Sequence, residues 1–494
     1  MQEVRMGALS QALRRGVLLL ALLAVALSVA AGAWPVVAQQ SDALASSRFG
    51  VVEAYYRPGD ARDLRAGWER IIFEWPRFQP DGPHQYNLDA VSESWLRDAR
   101  DAGREVVGLL KNTPLWASDI KMLGAAPHGL DLPSDDPANL WAAFVRRTVA
   151  HYSTHWGIHR WIIYNEPDIR PGEMPWYEFD GTAADYYQML KVAYLAARSV
   201  DPQAKIHLAG MAWWGDAVNG REPYLKRVLD IAAQDPEARA NGYFFDVATV
   251  HIYFGTRNVW RLIVETRGIL EHYGLGDKPI WVGETNARPS VDPLASLPAS
   301  PYNVSLAQQS AFIVQAAAMT LAAGAERFAV YRLYDDNYQP GVTEPWGLVR
   351  ADGTRRPAFN AYQMVISSFA QTSAAQRFYT ARSTLVTLRQ PGRTAYVVWA
   401  RKDEPVRFHV YSNFSGETGL VYLPTGQVSA IHSETLPGHD SAWYVVETPG
   451  ASAQPDGEIL IEGMPAVLVI DGPPRAVWVE VGGATWQLSA GAAW

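Results

Sequence analysis

Cysteine is absent from all 494 residues. Its absence excludes disulfides, thiolate metal sites, a cysteine nucleophile and a lipid anchor on an amino-terminal cysteine. A chain exported without disulfides must rely on its hydrophobic core, and this one is long enough to build one. Long apolar runs are scarce as well. The one that stands out, Val17–Ala33, follows Arg14 and Arg15 and precedes the small-residue stretch Val36-Val37-Ala38. That is the order of an export signal, so residues 1–40 are expected to be a signal peptide. Cleavage would leave a secreted, extracellular protein with no stable membrane insertion, whereas the uncleaved run would act as an anchor. Basic blocks are missing too. The net charge is −8, and the first 40 residues carry Arg5, Arg14 and Arg15 against Glu3, so the remainder is more acidic still. Such a chain is a poor partner for nucleic acid or an anionic membrane.

Several chemistries lack their residues. No glycine-rich phosphate loop follows the first strand-like run, and no Gly-x-Ser-x-Gly elbow has suitable partners. His151 and His155 are spaced as in a zincin, but Tyr152 stands where the zincin glutamate belongs, so a helix face is the better reading. Asp131, Asp135 and Asp136 do not follow EF-hand spacing and read as loop and cap residues. No metal and no cofactor are expected.

What is present is a repeating grammar. Short apolar runs at Phe49–Ala54, Glu69–Trp75, Glu105–Leu110, Arg160–Tyr164, Lys205–Gly210, Asp246–Tyr253, Pro279–Glu284 and Arg327–Leu333 lack strict alternation, which suits strands buried on both faces. Helical patterns fill the gaps, among them Leu88–Ala102, Pro137–His155, Thr182–Val200 and Ser305–Ala323. Eight strands alternating with helices predict an α/β fold, a (β/α)8 TIM barrel over residues 41–371, with an open doubly wound sheet as the alternative. From residue 372 to 494 the pattern changes to short alternating runs separated by turn residues: Leu385–Leu388, Ala395–Ala400, Val406–Tyr411, Leu420–Leu423, Ala442–Glu447, Glu458–Ile461 and Ala466–Ile470. These predict a C-terminal antiparallel β-sandwich. No exposed row of aromatics is readable in it, so a structural rider is favoured over a glycan-binding module.

A barrel keeps its active site at the C-terminal ends of its strands. The fourth strand runs into Asn165-Glu166-Pro167, and the seventh into Glu284-Thr285-Asn286. Cleaving a glycosidic bond needs two carboxyl groups flanking it. Either tripeptide alone could be a plain strand exit or a helix-initiating turn. Placed on strands four and seven of one barrel, the pair could face each other across its mouth. The 19 tryptophans and 23 tyrosines are compatible with a sugar-stacking cleft, although large aromatics also build cores.

At this point the chain resembles clan A of the glycoside hydrolases, whose acid/base follows strand four in an Asn-Glu(-Pro) motif and whose nucleophile ends strand seven. Further stretches are similar: Gly67-Trp68-Glu69-Arg70-Ile71 with Trp75; Thr113-Pro114-Leu115-Trp116-Ala117; Ser199-Val200-Asp201-Pro202; His251-Ile252-Tyr253; and Gly347-Leu348-Val349 through Arg356-Pro357-Ala358-Phe359. The resemblance covers roughly residues 47–370. It points to family 39 and the related family 5 cellulase-like group, and within them to bacterial exopolysaccharide glycosidases with a C-terminal β-sandwich. It implies a retaining enzyme acting by double displacement on an oligosaccharide or polysaccharide, with Glu166 as acid/base and Glu284 as nucleophile. It further implies Asn165 on the sugar 2-hydroxyl, Arg70 holding Glu284 ionised, and Tyr253 and His251 beside it. Trp75, Trp116, Trp213 and Trp214 would be sugar platforms. Tyr331 stands where these enzymes often carry tryptophan, with Trp346 as a compensating ring. A non-catalytic carbohydrate-binding barrel is the rival from another class, and Glu166, Glu284, Asn165 and Arg70 together weigh against it. Asp335 and Asp336, after strand eight, read as substrate contacts or solvated loop residues.

Overall fold

The computed structural model describes residues 47–174, 177–339, 342–411, 419–422, 428–429, 432–435, 442–481 and 484–489. The segment expected to be a signal peptide lies outside the described residues. Eight parallel strands make the first sheet: β1 (Phe49–Val52), β2 (Trp68–Glu74), β3 (Glu105–Lys111), β4 (Arg160–Ile163), β5 (Lys205–His207), β6 (Ala248–Tyr253), β7 (Ile280–Asn286) and β8 (Arg327–Val330). They are paired in the order β5-β4-β3-β2-β1-β8-β7-β6. Parallel bridges His207↔Val247 and Met211↔Val250 join the two outer strands, so the sheet curls into the expected barrel rather than an open doubly wound sheet. The lack of alternation has the anticipated cause. Val52, Trp68, Val107, Leu109, Ile162 and Trp281 fill the interior, while Phe49, Val51, Ile71, Trp161 and Val282 pack outward into the core beneath the helices.

One main helix follows each strand: α1 (Pro58–Leu64), α2 (Glu93–Asp101), α3 (Leu140–Trp156), α4 (Ala183–Val200), α5 (Tyr224–Ala232), α6 (Thr256–His272), α7 (Leu306–Ala322) and α8 (Pro357–Phe369). Four of these starts are set by side-chain caps. Thr182 and Ser305 close capping boxes with Asp185 and Gln308. Two helices begin later than the periodicity suggests, because Ser92 and Asn139 accept backbone N–H groups and end the preceding turns. His151 and His155 stack at 4.5 Å on the outer part of α3, as a helix face.

A hairpin of β9 (Asp336–Gln339) and β10 (Val342–Glu344) precedes α8. After α8 come β11 (Ala374–Tyr379), β12 (Ser383–Gln390), β13 (Arg393–Ala400), β14 (Val406–Tyr411), β15 (Gly419–Tyr422), β16 (Val428–Ser429), β17 (His432–Thr435), β18 (Ala442–Thr448), β19 (Ala466–Asp471), β20 (Val477–Val481) and β21 (Ala484–Ser489). They form two antiparallel sheets, β11-β12-β13-β19-β15-β16 and β17-β18-β14-β20-β21. The first is a middle layer. On β13, Ala395, Val397 and Trp399 join the barrel core, whereas Tyr396, Val398 and Ala400 meet Phe408, Val446 and Val479 of the second sheet. Helix α7 lies under β11 and β12 and is buried on every side from Gln308 to Ala322.

One expected strand does not form. Glu458–Ile461 lies in an irregular segment, 449–465, between β18 and β19. Ile461 is buried in the barrel-side core, and the Leu460 carbonyl accepts the Thr256 N–H at 3.1 Å. A backbone group spent on a helix start is lost to a strand ladder.

The barrel interior depends on small residues beside its tryptophans. A Cβ added at Gly50 would lie 2.3 Å from Trp68 Cε2. Gly50→Ala is therefore expected to destabilise the protein by about 1–3 kcal/mol. Urea unfolding would show a lower midpoint at unchanged slope; an unchanged midpoint would mean that the interior has room to spare.

Candidate active site

The two glutamates come together through strand register. Beyond β4 the chain turns sharply, with Tyr164 at φ 69° and Glu166 at φ 40°. The Glu166 N–H donates to the Gly210 carbonyl at 3.1 Å, and Asn165 pairs with Gly210, so the exit of β5 holds the exit of β4. Between β6 and β7, Val250 pairs with Val282 but His251 pairs with Glu284. The bulge passes over Gly283 and sets His251 opposite Glu284 and Tyr253 opposite Asn286. Gly210 leaves room for the imidazole, since a Cβ there would fall 1.9 Å from His251 Nε2.

Glu284 is buried and receives hydrogen bonds from the Arg70 guanidinium of β2 and the Tyr253 hydroxyl. His251 Nδ1 is hydrogen-bonded to Glu166 Oε1 at 2.8 Å and stands 3.5 Å from Glu284 Oε2. One oxygen of each glutamate and a histidine nitrogen lie within 4.8 Å of one another. That spacing would suit a metal ion, but here the guanidinium of Arg70 already supplies the positive charge to Glu284.

Burial raises both carboxyl pKa values, and the neighbours separate them. For Glu284, burial is outweighed by the positive charges of Arg70 and His251 and by hydrogen bonds from Tyr253 and Arg70, leaving it below the ordinary glutamate value. For Glu166, burial wins over the His251 contact, and the charge of Glu284 adds to it, so its pKa is raised. Burial pushes the Tyr253 hydroxyl well above its usual value, with Glu284 adding to the effect, which keeps it a donor. His251 loses to burial but gains more from Glu284 and Glu166, ending above its ordinary value. Glu166 is also the more accessible carboxyl, its side chain 16 % exposed against 6 % for Glu284.

The aromatic candidates divide. Trp346 packs against Tyr253 with ring centroids 4.9 Å apart, and Tyr331 lies 6.1 Å from both. These two rings wall the site beside Glu284, Tyr331 donating to Glu344 at 2.9 Å. Trp213 follows β5, its backbone N–H donating to Asp168 at 2.7 Å, and Trp214 beside it is exposed. Trp116 is half-buried and donates to the Gln79 carbonyl at 2.7 Å. Trp75 is not a platform. It is completely buried, stacked on Phe144 and bonded to Gln79, because its position just after β2 turns its ring under α3. Asp335 is likewise neither solvated nor a substrate contact. It is buried in a bidentate pair with Arg356, which also binds Asp292.

Other participants were not anticipated. Asn286 donates to the carbonyls of Tyr331 and Trp346 at 2.6 and 2.7 Å, tying β7 to the ring wall. Asp168 accepts the N–H groups of Ala212 and Trp213, and burial pushes its carboxyl up to about 7. Glu53 is buried against Arg332 at the exit of β1. Left-handed backbone marks this face: Glu53, Asn112, Tyr164, Glu166, Trp213 and Phe254 all have φ between 40° and 69° and follow β1, β3, β4, β5 and β6. For residues with a Cβ that conformation costs about 1–3 kcal/mol each, and it persists where the surroundings impose it.

The electrostatic asymmetry is directly measurable. In a ¹³C-NMR titration, Glu284 is expected to lose its proton below the ordinary glutamate range and Glu166 above it. Arg70→Met removes the main stabiliser of the ionised form and should move the Glu284 titration upward; an unmoved Glu284 would exclude Arg70 as the cause.

No family model matches the sequence, and no curated protein matches it. Solved structures share the fold. A family 39 glycoside hydrolase from Bacteroides cellulosilyticus is similar with a TM-score of 0.62 and 16% identity, over 87% of this chain and 82% of that one. A GH30 endoxylanase from Clostridium papyrosolvens gives 0.55 and 12%, over 86% and 96%. A monomeric β-xylosidase from Caulobacter crescentus gives 0.52 and 12%, over 89% and 97%. At these identities the likeness is one of fold.

Proposed function

We propose that this protein is a secreted, retaining β-glycoside hydrolase acting on an oligosaccharide or polysaccharide, with Glu284 as nucleophile and Glu166 as acid/base. The carrying observation is the approach of the two carboxyl groups, one oxygen of each lying within 4.8 Å of the other. Inverting enzymes need roughly 6.5–9.5 Å to seat a water between carboxylate and sugar, whereas retaining ones need only about 5–5.5 Å. The solved enzymes that share the fold include a xylosidase and a xylanase, which supports a sugar substrate.

In this reading Glu284, kept ionised by Arg70 and aligned by Tyr253, attacks the anomeric carbon. Glu166 gives its proton to the departing glycosidic oxygen, and a glycosyl ester forms on Glu284. Esterification removes the negative charge of Glu284, so the pKa of Glu166 falls and it becomes a base for the incoming water. Water then attacks the anomeric carbon, Glu166 takes its proton, and the Glu284 carboxylate leaves. Asn165 is the candidate partner of the sugar 2-hydroxyl, while Tyr331 and Trp346 supply apolar faces. Export rests on Arg14, Arg15 and the apolar run after them; among the described residues no helix is long and apolar enough to cross a membrane.

A panel of β-glucans, β-mannans, xylans and bacterial exopolysaccharides, followed by NMR of the product anomer, tests the activity and its stereochemistry. Glu284→Ala should abolish turnover in a folded protein, with azide restoring it as a glycosyl azide; hydrolysis near the wild-type rate would refute the assignment. Glu166→Ala should cost about 10²–10⁴-fold with poor leaving groups and far less with good ones. The rate should fall as pH drops through the lowered pKa of Glu284, which must be ionised. It should fall again as pH rises through the raised pKa of Glu166, which must be protonated.

A further inference from the structure

Helix α6 starts three residues after the end of β6, the strand that carries His251 and Tyr253. Its N-cap, Gly255, has no side chain to accept the first N–H groups. Segment 449–465 of the β-domain does so instead. The Leu460 carbonyl accepts from Thr256 N at 3.1 Å, and the Glu462 carboxylate accepts from Arg257 Nε at 3.0 Å. Thr256 Oγ1 accepts the Glu462 N–H at 3.3 Å and donates to Gln315 at 2.6 Å. Glu462 is 1% exposed and is anchored in its own domain by Trp399 Nε1 at 2.7 Å and Arg401 Nε at 3.0 Å.

The same segment grips the loop after β7. Gln454 accepts from Asn303 N at 2.7 Å and donates to Asn303 O at 2.9 Å, the two bonds a neighbouring strand would make. From there ring contacts lead inward. Tyr302 packs on Phe254 at 4.5 Å, Phe254 on Trp346 at 5.5 Å and Trp346 on Tyr253 at 4.9 Å. Tyr253 donates to Glu284. An unbroken path of packed groups thus joins the β-domain to that glutamate.

We propose that Gln454 and Glu462 are positioning residues of the glycosidase site, making the β-domain a strut for the loops after β6 and β7. The inference rests on the glycosidase reading. A helix start capped by another domain cannot shift without exposing a buried N–H, and the buried Glu462, fixed by Trp399 and Arg401, holds the Arg257 side chain from the β-domain side. Both constraints act one turn from Tyr253, whose hydroxyl must stay on Glu284.

The test uses Glu462→Gln and Gln454→Ala in the full-length protein. Amide hydrogen exchange and steady-state kinetics on an aryl β-glycoside are measured for each, well below the melting temperature. Exchange is expected to quicken in peptides covering 251–258 and 298–305 while β1–β4 stay protected. Gln454→Ala should raise KM about tenfold at near-wild-type kcat, because the Tyr302–Phe254–Trp346 wall loosens. Glu462→Gln should lower kcat about tenfold or more, because Tyr253 loses its alignment. If both variants merely melt earlier, with exchange, kcat and KM unchanged, the strut is overturned. An inactive wild type whose variants still exchange faster in those peptides would support the strut and overturn the glycosidase reading instead. Should Glu462→Gln not fold, Gln454→Ala decides alone.

Discussion

A carboxylate deprived of water needs a compensating charge, and for Glu284 that charge is Arg70. The pair is buried on both sides, so removing either partner would strand the other in a poorly solvating site. Much of the mouth of the barrel is arranged around this constraint. Arg70 comes from β2, Glu284 from β7 and the Tyr253 hydroxyl from β6, which requires the ring of strands to close with little slack. Burial raises the pKa of Glu166 and the negative Glu284 adds to it, so the two glutamates acquire opposite tendencies from one shared environment.

Backbone geometry sustains that arrangement. The bulge over Gly283 turns His251 toward both glutamates, and Gly210 clears the space its ring occupies. The left-handed residues at five strand exits lie on the face that carries the site. They persist because the barrel beneath them is close-packed and holds the strand exits in place. The β-domain extends the same logic. Its first sheet shares a core with the barrel on one side and with the second sheet on the other, so it is built into the fold rather than tethered to it.

Much of the barrel was legible in the sequence. Strands buried on both faces show as apolar runs, and helices announce themselves through N-cap residues such as Thr182 and Ser305. The two glutamates were legible because each ends such a run. Other features were hidden for definite reasons. Trp75 looks like a sugar platform because it ends a strand, yet the next turn carries its ring under α3. Glu458–Ile461 alternates like a strand, yet its Leu460 carbonyl serves a distant helix. Asn286 stands two residues after Glu284 in plain view, but its two carbonyl partners are 45 and 60 residues away.

Sequence alone determined the order of elements, the identities of the paired carboxyls, and the presence of Arg70 on the second strand and of His251 and Tyr253 on the sixth. These follow from hydrophobic periodicity and from where chemically capable residues interrupt it, both of which are local. Tertiary structure decided the rest: the approach of Glu166 to Glu284, the sign of each pKa shift, the choice of Trp346 and Tyr331 over Trp75 beside Glu284, and the grip of segment 449–465 on the loops after β6 and β7. Each of those depends on distance and desolvation between residues far apart in the chain, quantities that arise only once the barrel has closed.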